Sequence, residues 1–89
     1  MFVMSYFRTE AEALHLAISD DGLKWTALKN NQPLLHAPPE HCIRDPHISQ
    51  DQNGIFHLFF TTGWRAKDGI GHCTSRDLVS WSETEIVSV

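Results

Sequence analysis

Ser19-Asp20-Asp21-Gly22-Leu23-Lys24-Trp25 and Ser75-Arg76-Asp77-Leu78-Val79-Ser80-Trp81 are one phrase written twice, 56 residues apart. Ser19, Asp21 and Trp25 fall on Ser75, Asp77 and Trp81, and the same shift lays the apolar run Phe2 to Tyr6 on Leu58 to Thr62. Each copy reads as strand, Ser-x-Asp turn, tryptophan, strand. A chain that repeats such a phrase is built from copies of one unit that cannot bury its apolar face alone, so the copies stack on each other. A four-strand unit recurring every 40 to 60 residues or so is the spacing of a β-propeller blade.

Working outward, the strands follow from apolar content and a period of two. Phe2 to Phe7 is β-branched and aromatic, and Leu14, Leu16 and Ile18 alternate with His15 and Ala17. Asp20-Asp21-Gly22 turns the chain into a return strand over Lys24 to Leu28, and Asn30, Asn31, Pro33, Pro38 and Pro39 make Lys29 to Cys42 a connection without regular structure. The second unit has four strands, near 44–49, 55–62, 70–75 and 81–87, with a loop from Thr61 to Gly69. Asn53-Gly54 predicts a two-residue primed turn, because both residues tolerate positive φ. No segment makes a convincing helix. The expected fold is therefore all-β: antiparallel propeller blades, an incomplete first one over 1–35 that lacks its inner strand, a connection over 36–43, and a complete second one over 44–89.

Eighty-nine residues, 42% of them apolar, allow a single small domain and no disordered class. A net charge of -4 with scattered lysines and arginines argues against a nucleic-acid partner. The apolar opening Met1-Phe2-Val3-Met4 is too short for a membrane span or a signal-peptide core, so neither a membrane nor an export route is expected and the reading is cytoplasmic. Cys42 and Cys73 read as small buried thiols, with a single bridge as the alternative. The six histidines, including His41-Cys42 and His72-Cys73, show no C-x-x-C or H-E-x-x-H spacing, and no phosphate loop or dinucleotide fingerprint occurs, so neither a metal nor a cofactor is expected.

The succession Ala17-Ile18-Ser19-Asp20-Asp21-Gly22-Leu23-Lys24-Trp25, Leu28-Lys29-Asn30-Asn31-Gln32-Pro33, Arg44-Asp45-Pro46-His47-Ile48, Asp51-x-x-Gly54-x-Phe56-His57 and Ser75-Arg76-Asp77-Leu78-Val79-x-Trp81 resembles the five-bladed β-propeller glycosidases of glycoside hydrolase family 43 and its arabinosidase-like relatives. The resemblance covers nearly the whole chain. It implies hydrolysis of O-glycosidic bonds in oligosaccharides, with an Asp-Pro at the start of an inner strand supplying a catalytic carboxylate, and only Asp45 matches that motif. It also implies a second aspartate and a glutamate from a later blade, and the latter has no counterpart here.

Asp45 has two readings, a cap on the turn before its strand or an active-site carboxylate, and the resemblance favours the second. Strand alternation puts His47 on its face and Arg44 on the opposite one, which makes His47 the better partner. Trp64 is expected near Asp45 with Arg65 and Lys67, either stacking on a sugar or packing its loop onto the core. His47, Trp64 and Arg44 are thus the candidate substrate-binding residues. Trp25, Trp81, Asp21 and Asp77 repeat, and repetition argues for architecture.

Two functions fit. One is a fragment of a propeller glycosidase with Asp45 as its catalytic-type acid. The other is a non-catalytic module that binds carbohydrate or self-associates into a homo-oligomer through exposed strand edges.

Overall fold

The computed structural model describes residues 1–64 and 69–88. Two antiparallel sheets make up the molecule. The first has the order β1 (Phe2–Tyr6), β2 (His15–Ser19), β3 (Thr26–Ala27); the second runs β4 (Arg44–Gln50), β5 (Phe56–Thr61), β6 (Ile70–Ser75), β7 (Glu85–Val87). Within each sheet, strands adjacent in sequence are adjacent in space, the up-and-down order of a propeller blade, with three strands in the first and four in the second. Among the described residues the chain is all-β, with partial blades and no closed barrel. No helix among the described residues is long and apolar enough to cross a membrane.

The repeat survives in atomic detail. In the first sheet the Ser19 hydroxyl accepts from the Gly22 amide at 2.8 Å, and Asp21 Oδ1 accepts from the Leu23 and Lys24 amides at 2.8 and 3.0 Å. The second sheet repeats this with Ser75 and Leu78 at 2.9 Å, and with Asp77, Val79 and Ser80 at 2.9 and 2.8 Å. In both turns the tryptophan indole N–H donates to a turn carbonyl, Trp25 to Gly22 and Trp81 to Leu78, at 3.1 and 3.2 Å. These bonds hold both aspartates below the usual carboxylate range, backbone amide donors being the largest cause.

The two sheets meet across one apolar layer. Leu14 and Leu16 from the first sheet cluster with Ile43, Leu58, Phe60, Cys73 and Leu78, all buried, and Val3, Ile48, Phe56 and Trp81 pack around them. Burying one such aliphatic or aromatic side chain is worth about 1.5–3 kcal/mol, so this layer is the main force joining the sheets. Ser5 adds a polar tie, its hydroxyl donating to the Pro46 carbonyl at 2.8 Å. Burial pushes the Cys73 thiol up to about 11, and Cys42 and Cys73 form no disulfide. His15 is only 2% exposed and stacks on Tyr6 with centroids 5.4 Å apart; burial, with Arg8 nearby, holds its imidazole below the ordinary value.

Three local expectations are corrected. The hairpin between β4 and β5 is not a two-residue primed turn: only Gly54 takes positive φ (83°), its amide donates to the Asp51 carbonyl at 3.1 Å, and the Asp51 amide donates to the Ile55 carbonyl at 2.9 Å. The reason is the Asp51 side chain, which accepts from the Asn53 and Ile55 amides at 2.9 and 3.0 Å and sets a three-residue loop. The return strand shrinks to Thr26–Ala27 because Trp25 is spent on bracing its turn, and Leu28–Asn31 winds into a short 3-10 turn with Lys29, Asn30 and Asn31 at positive φ. The last strand begins only at Glu85, since the Thr74 amide donates to the Ser82 side chain at 2.9 Å instead of joining a regular ladder there. The connection over 29–42 is irregular as expected, except that Leu14 bridges Leu35.

Gly71 is required by packing. It pairs with Phe60 across β5 and β6, and a Cβ built on it would stand 2.3 Å from the Phe60 ring. Gly71→Ala therefore forces Phe60 out of the layer between the sheets and should cost about 1–3 kcal/mol of stability, read as a lower urea midpoint with an unchanged slope.

Candidate functional site

The site grows from the first residues of β4. Arg44 stands opposite Thr61 and His47 opposite Phe59, so Asp45 and Pro46 together occupy the place facing Phe60. This is a β-bulge, and its composition suits it. Proline has no N–H to offer a ladder, and aspartate tolerates the left-handed backbone, φ 48°, that Asp45 adopts. The extra residue also cancels one step of the alternation. Thr61 and Phe59 share a face of β5, so Arg44 and His47 share one too, in place of the opposite faces that a regular strand would give them.

Asp45 and His47 are both exposed. Among the described residues, the Asp45 carboxylate makes no hydrogen bond or ion pair, so it does not cap the turn before its strand; no partner holds His47 either. The acid is thus presented by a kinked, tethered backbone with its acceptor capacity unspent. Such strain is characteristic of functional positions.

Arg44 is half-buried and held between two rings. Its guanidinium carbon lies 4.8 Å from the centroid of Phe7, at the end of β1, and 5.1 Å from that of Trp64, beyond β5. The bulge, the end of β1 and the loop after β5 therefore converge at one end of the two sheets. Trp64 is 73% exposed, so it does not pack its loop onto the core; one side meets Arg44 and much of the indole is open. Arg65 and Lys67, expected beside it, lie outside the described residues.

A cavity of about 400 Å³ opens close along the chain, lined by Glu10, Glu12, His36, His41 and Cys42 among others. Its walls are tied to β4 where the Ile43 amide donates to the Glu12 carbonyl at 2.8 Å and the Cys42 amide to the Thr62 carbonyl at 2.9 Å. Glu12 and Phe7 are the residues that sequence reasoning missed. Phe7 looked like the last residue of an ordinary strand, and Glu12 like part of a polar connection. Positive φ at Glu12 (45°) marks its special place, but that is visible only in three dimensions. Among the described residues no group of three or more His, Cys, Asp or Glu is arranged to hold a metal ion.

The family described as "Probable glycosyl hydrolase domain", related to glycoside hydrolase family 43, matches residues 1–89. The chain belongs to this family. It is also similar to an invertase of Schwanniomyces occidentalis, 35% identical over 80 residues that make up 81% of this chain and 15% of that one. A β-fructofuranosidase of Arabidopsis thaliana, the insoluble isoenzyme CWINV2, is 28% identical over 85 residues, 83% of this chain and 14% of the enzyme. The glycosyl hydrolase domain thus spans about a seventh of the length of these relatives. No solved structure matches it significantly.

The cation–π sandwich sets the orientation of Trp64. In a double-mutant cycle of Arg44→Ala and Trp64→Ala, the coupling should be about 0.5–1 kcal/mol, the size of such contacts at partly exposed sites. A coupling indistinguishable from zero means that the indole is held by something other than Arg44.

Proposed function

We propose that this chain forms the sugar-facing wall of a glycoside hydrolase site acting on O-glycosidic bonds of oligosaccharides, with Asp45 as one of its catalytic carboxylates. The observation that carries this reading is the unengaged Asp45 carboxylate on a tethered bulge, with Trp64 held open one residue away by Arg44. Hydrolysis of a glycosidic bond uses two carboxyl groups, one donating a proton to the leaving oxygen and one acting as base or nucleophile. Asp45 supplies one. Its exposed carboxyl group suits acceptance of sugar hydroxyls or stabilisation of positive charge at the anomeric carbon, and the indole of Trp64 offers an apolar face for the ring. Arg44 keeps that indole in place instead of bonding sugar through its guanidinium faces, and His47 stands exposed on the same strand. The chemistry needs a second carboxyl besides Asp45.

The names of the two relatives make β-fructofuranosides the first ligands to try. Saturation-transfer NMR with sucrose should show contact with the Trp64 indole. Asp45→Asn should weaken binding about tenfold, the loss of a hydrogen bond to a charged group. Unchanged sucrose affinity in Asp45→Asn removes Asp45 from the site.

A second reading has its own observation. β1 is an edge strand, with Phe2 and Met4 54% and 41% exposed. Such an edge invites pairing with another copy, making the chain a self-associating β module. Sedimentation at micromolar concentration then shows a dimer or larger species that Met4→Lys dissociates, whereas a monomer at that concentration ends this reading.

A further inference from the structure

Away from Asp45, four side chains form a line across the second sheet. Asp51, in the turn after β4, has Oδ2 2.9 Å from His57 Nε2 on β5. His57 Nδ1 lies 3.1 Å from His72 Nε2 on β6, the rings being within 11° of parallel. His72 Nδ1 is 3.9 Å from Glu85 Oε1 on β7. Phe59 stacks on His72 at 4.6 Å, and the residue of β4 paired with His57 is the uncharged Ser49. Asp51, His57, His72 and Glu85 are therefore the titratable groups that meet in this line from the turn after β4, β5, β6 and β7.

Hydrogen counting decides what the line does. Asp51 is an ionised acceptor, held below the usual carboxylate range first by the His57 hydrogen bond and then by the Ile55 amide. So His57 carries its hydrogen on Nε2, and its Nδ1 is a lone pair. His72 must then point an Nε2 hydrogen at that lone pair, which leaves His72 Nδ1 bare and facing Glu85. In this neutral state the last contact is two acceptors facing each other. One added proton on His72 Nδ1 turns it into an ion pair at 3.9 Å, with a single hydrogen between the two rings. A second proton has room only on His57 Nδ1, where it opposes the His72 hydrogen and breaks the contact.

What the proton acts on is β7. Among the described residues that strand has three paired residues, all exposed, and it is joined to the sheet through β6 alone. We propose that Asp51, His57, His72 and Glu85 form a proton-operated latch, in which one proton taken up by the histidine pair fastens Glu85 and with it β7 to the sheet. The direction is the reverse of ordinary acid loosening, because the added charge meets a carboxylate.

The ring nitrogens report the outcome directly. In the 15N-labelled chain both histidines should be Nε2–H tautomers at alkaline pH, and on acidification the pair should hold one added proton between them before a second ring is protonated. Amide exchange over residues 85–87, corrected for its intrinsic pH dependence, should slow about two- to fivefold on that protonation, the effect of one partly exposed ion pair. Glu85→Gln, at an exposed position, should abolish the slowing while the rings keep their tautomers. Independent titration of the two rings to two imidazolium ions, an Nδ1–H tautomer on either at high pH, or the same slowing in Glu85→Gln each overturns the latch.

Discussion

The contact between the two sheets is the constraint on which the rest depends. Each sheet presents a strip of apolar side chains that water would otherwise cover. Leu14 and Leu16 of one close against Leu58, Phe60 and Cys73 of the other, with Ile43 and Leu78 filling the margins. Phe60 occupies the space above Gly71, so the fit tolerates no extra carbon there. Because this layer sets how the sheets lie, it also sets where their ends meet. Phe7 at the end of β1, Arg44 at the start of β4 and Trp64 beyond β5 come together only because the layer holds β1 and β4 side by side.

On that platform, a local irregularity makes the candidate site. A regular strand through Arg44-Asp45-Pro46-His47 would have sent Arg44 across the sheet from His47. The bulge instead gives Asp45 a left-handed backbone, uses a proline where no amide is needed, and leaves the Pro46 carbonyl to be bonded by Ser5. The acid is thus placed by the bulge and by the tie at Pro46, and spends none of its own acceptor capacity on them. Asp21 and Asp77 are the contrast: both are consumed by the amides of their turns, which marks them as architectural.

The reading of this chain as part of a glycosyl hydrolase domain rests on sequence and architecture together. The family matches end to end, and the blade-like order of strands agrees with it. The histidine line on the second sheet belongs to neither feature. His57, His72 and Glu85 sit on consecutive strands at positions that share a face, with Asp51 in the turn before them, so a sequence with period two brings them together once the register is set.

How much could be read without coordinates differs by level. The all-β class, the strand order, the 56-residue repeat and the structural role of Trp25, Trp81, Asp21 and Asp77 were legible in the residues, because they depend on local periodicity and on turns braced by their own side chains. Tertiary structure alone decided the three-residue loop at Asp51, the shortened β3 and β7, the bulge that moves Arg44, and the grouping of Phe7 with Arg44 and Trp64. Each of these turns on a competition between a ladder hydrogen bond and a side-chain bond, or on a contact between residues more than thirty positions apart. Short-range pattern carries no record of which wins; the packing of one sheet on the other settles it.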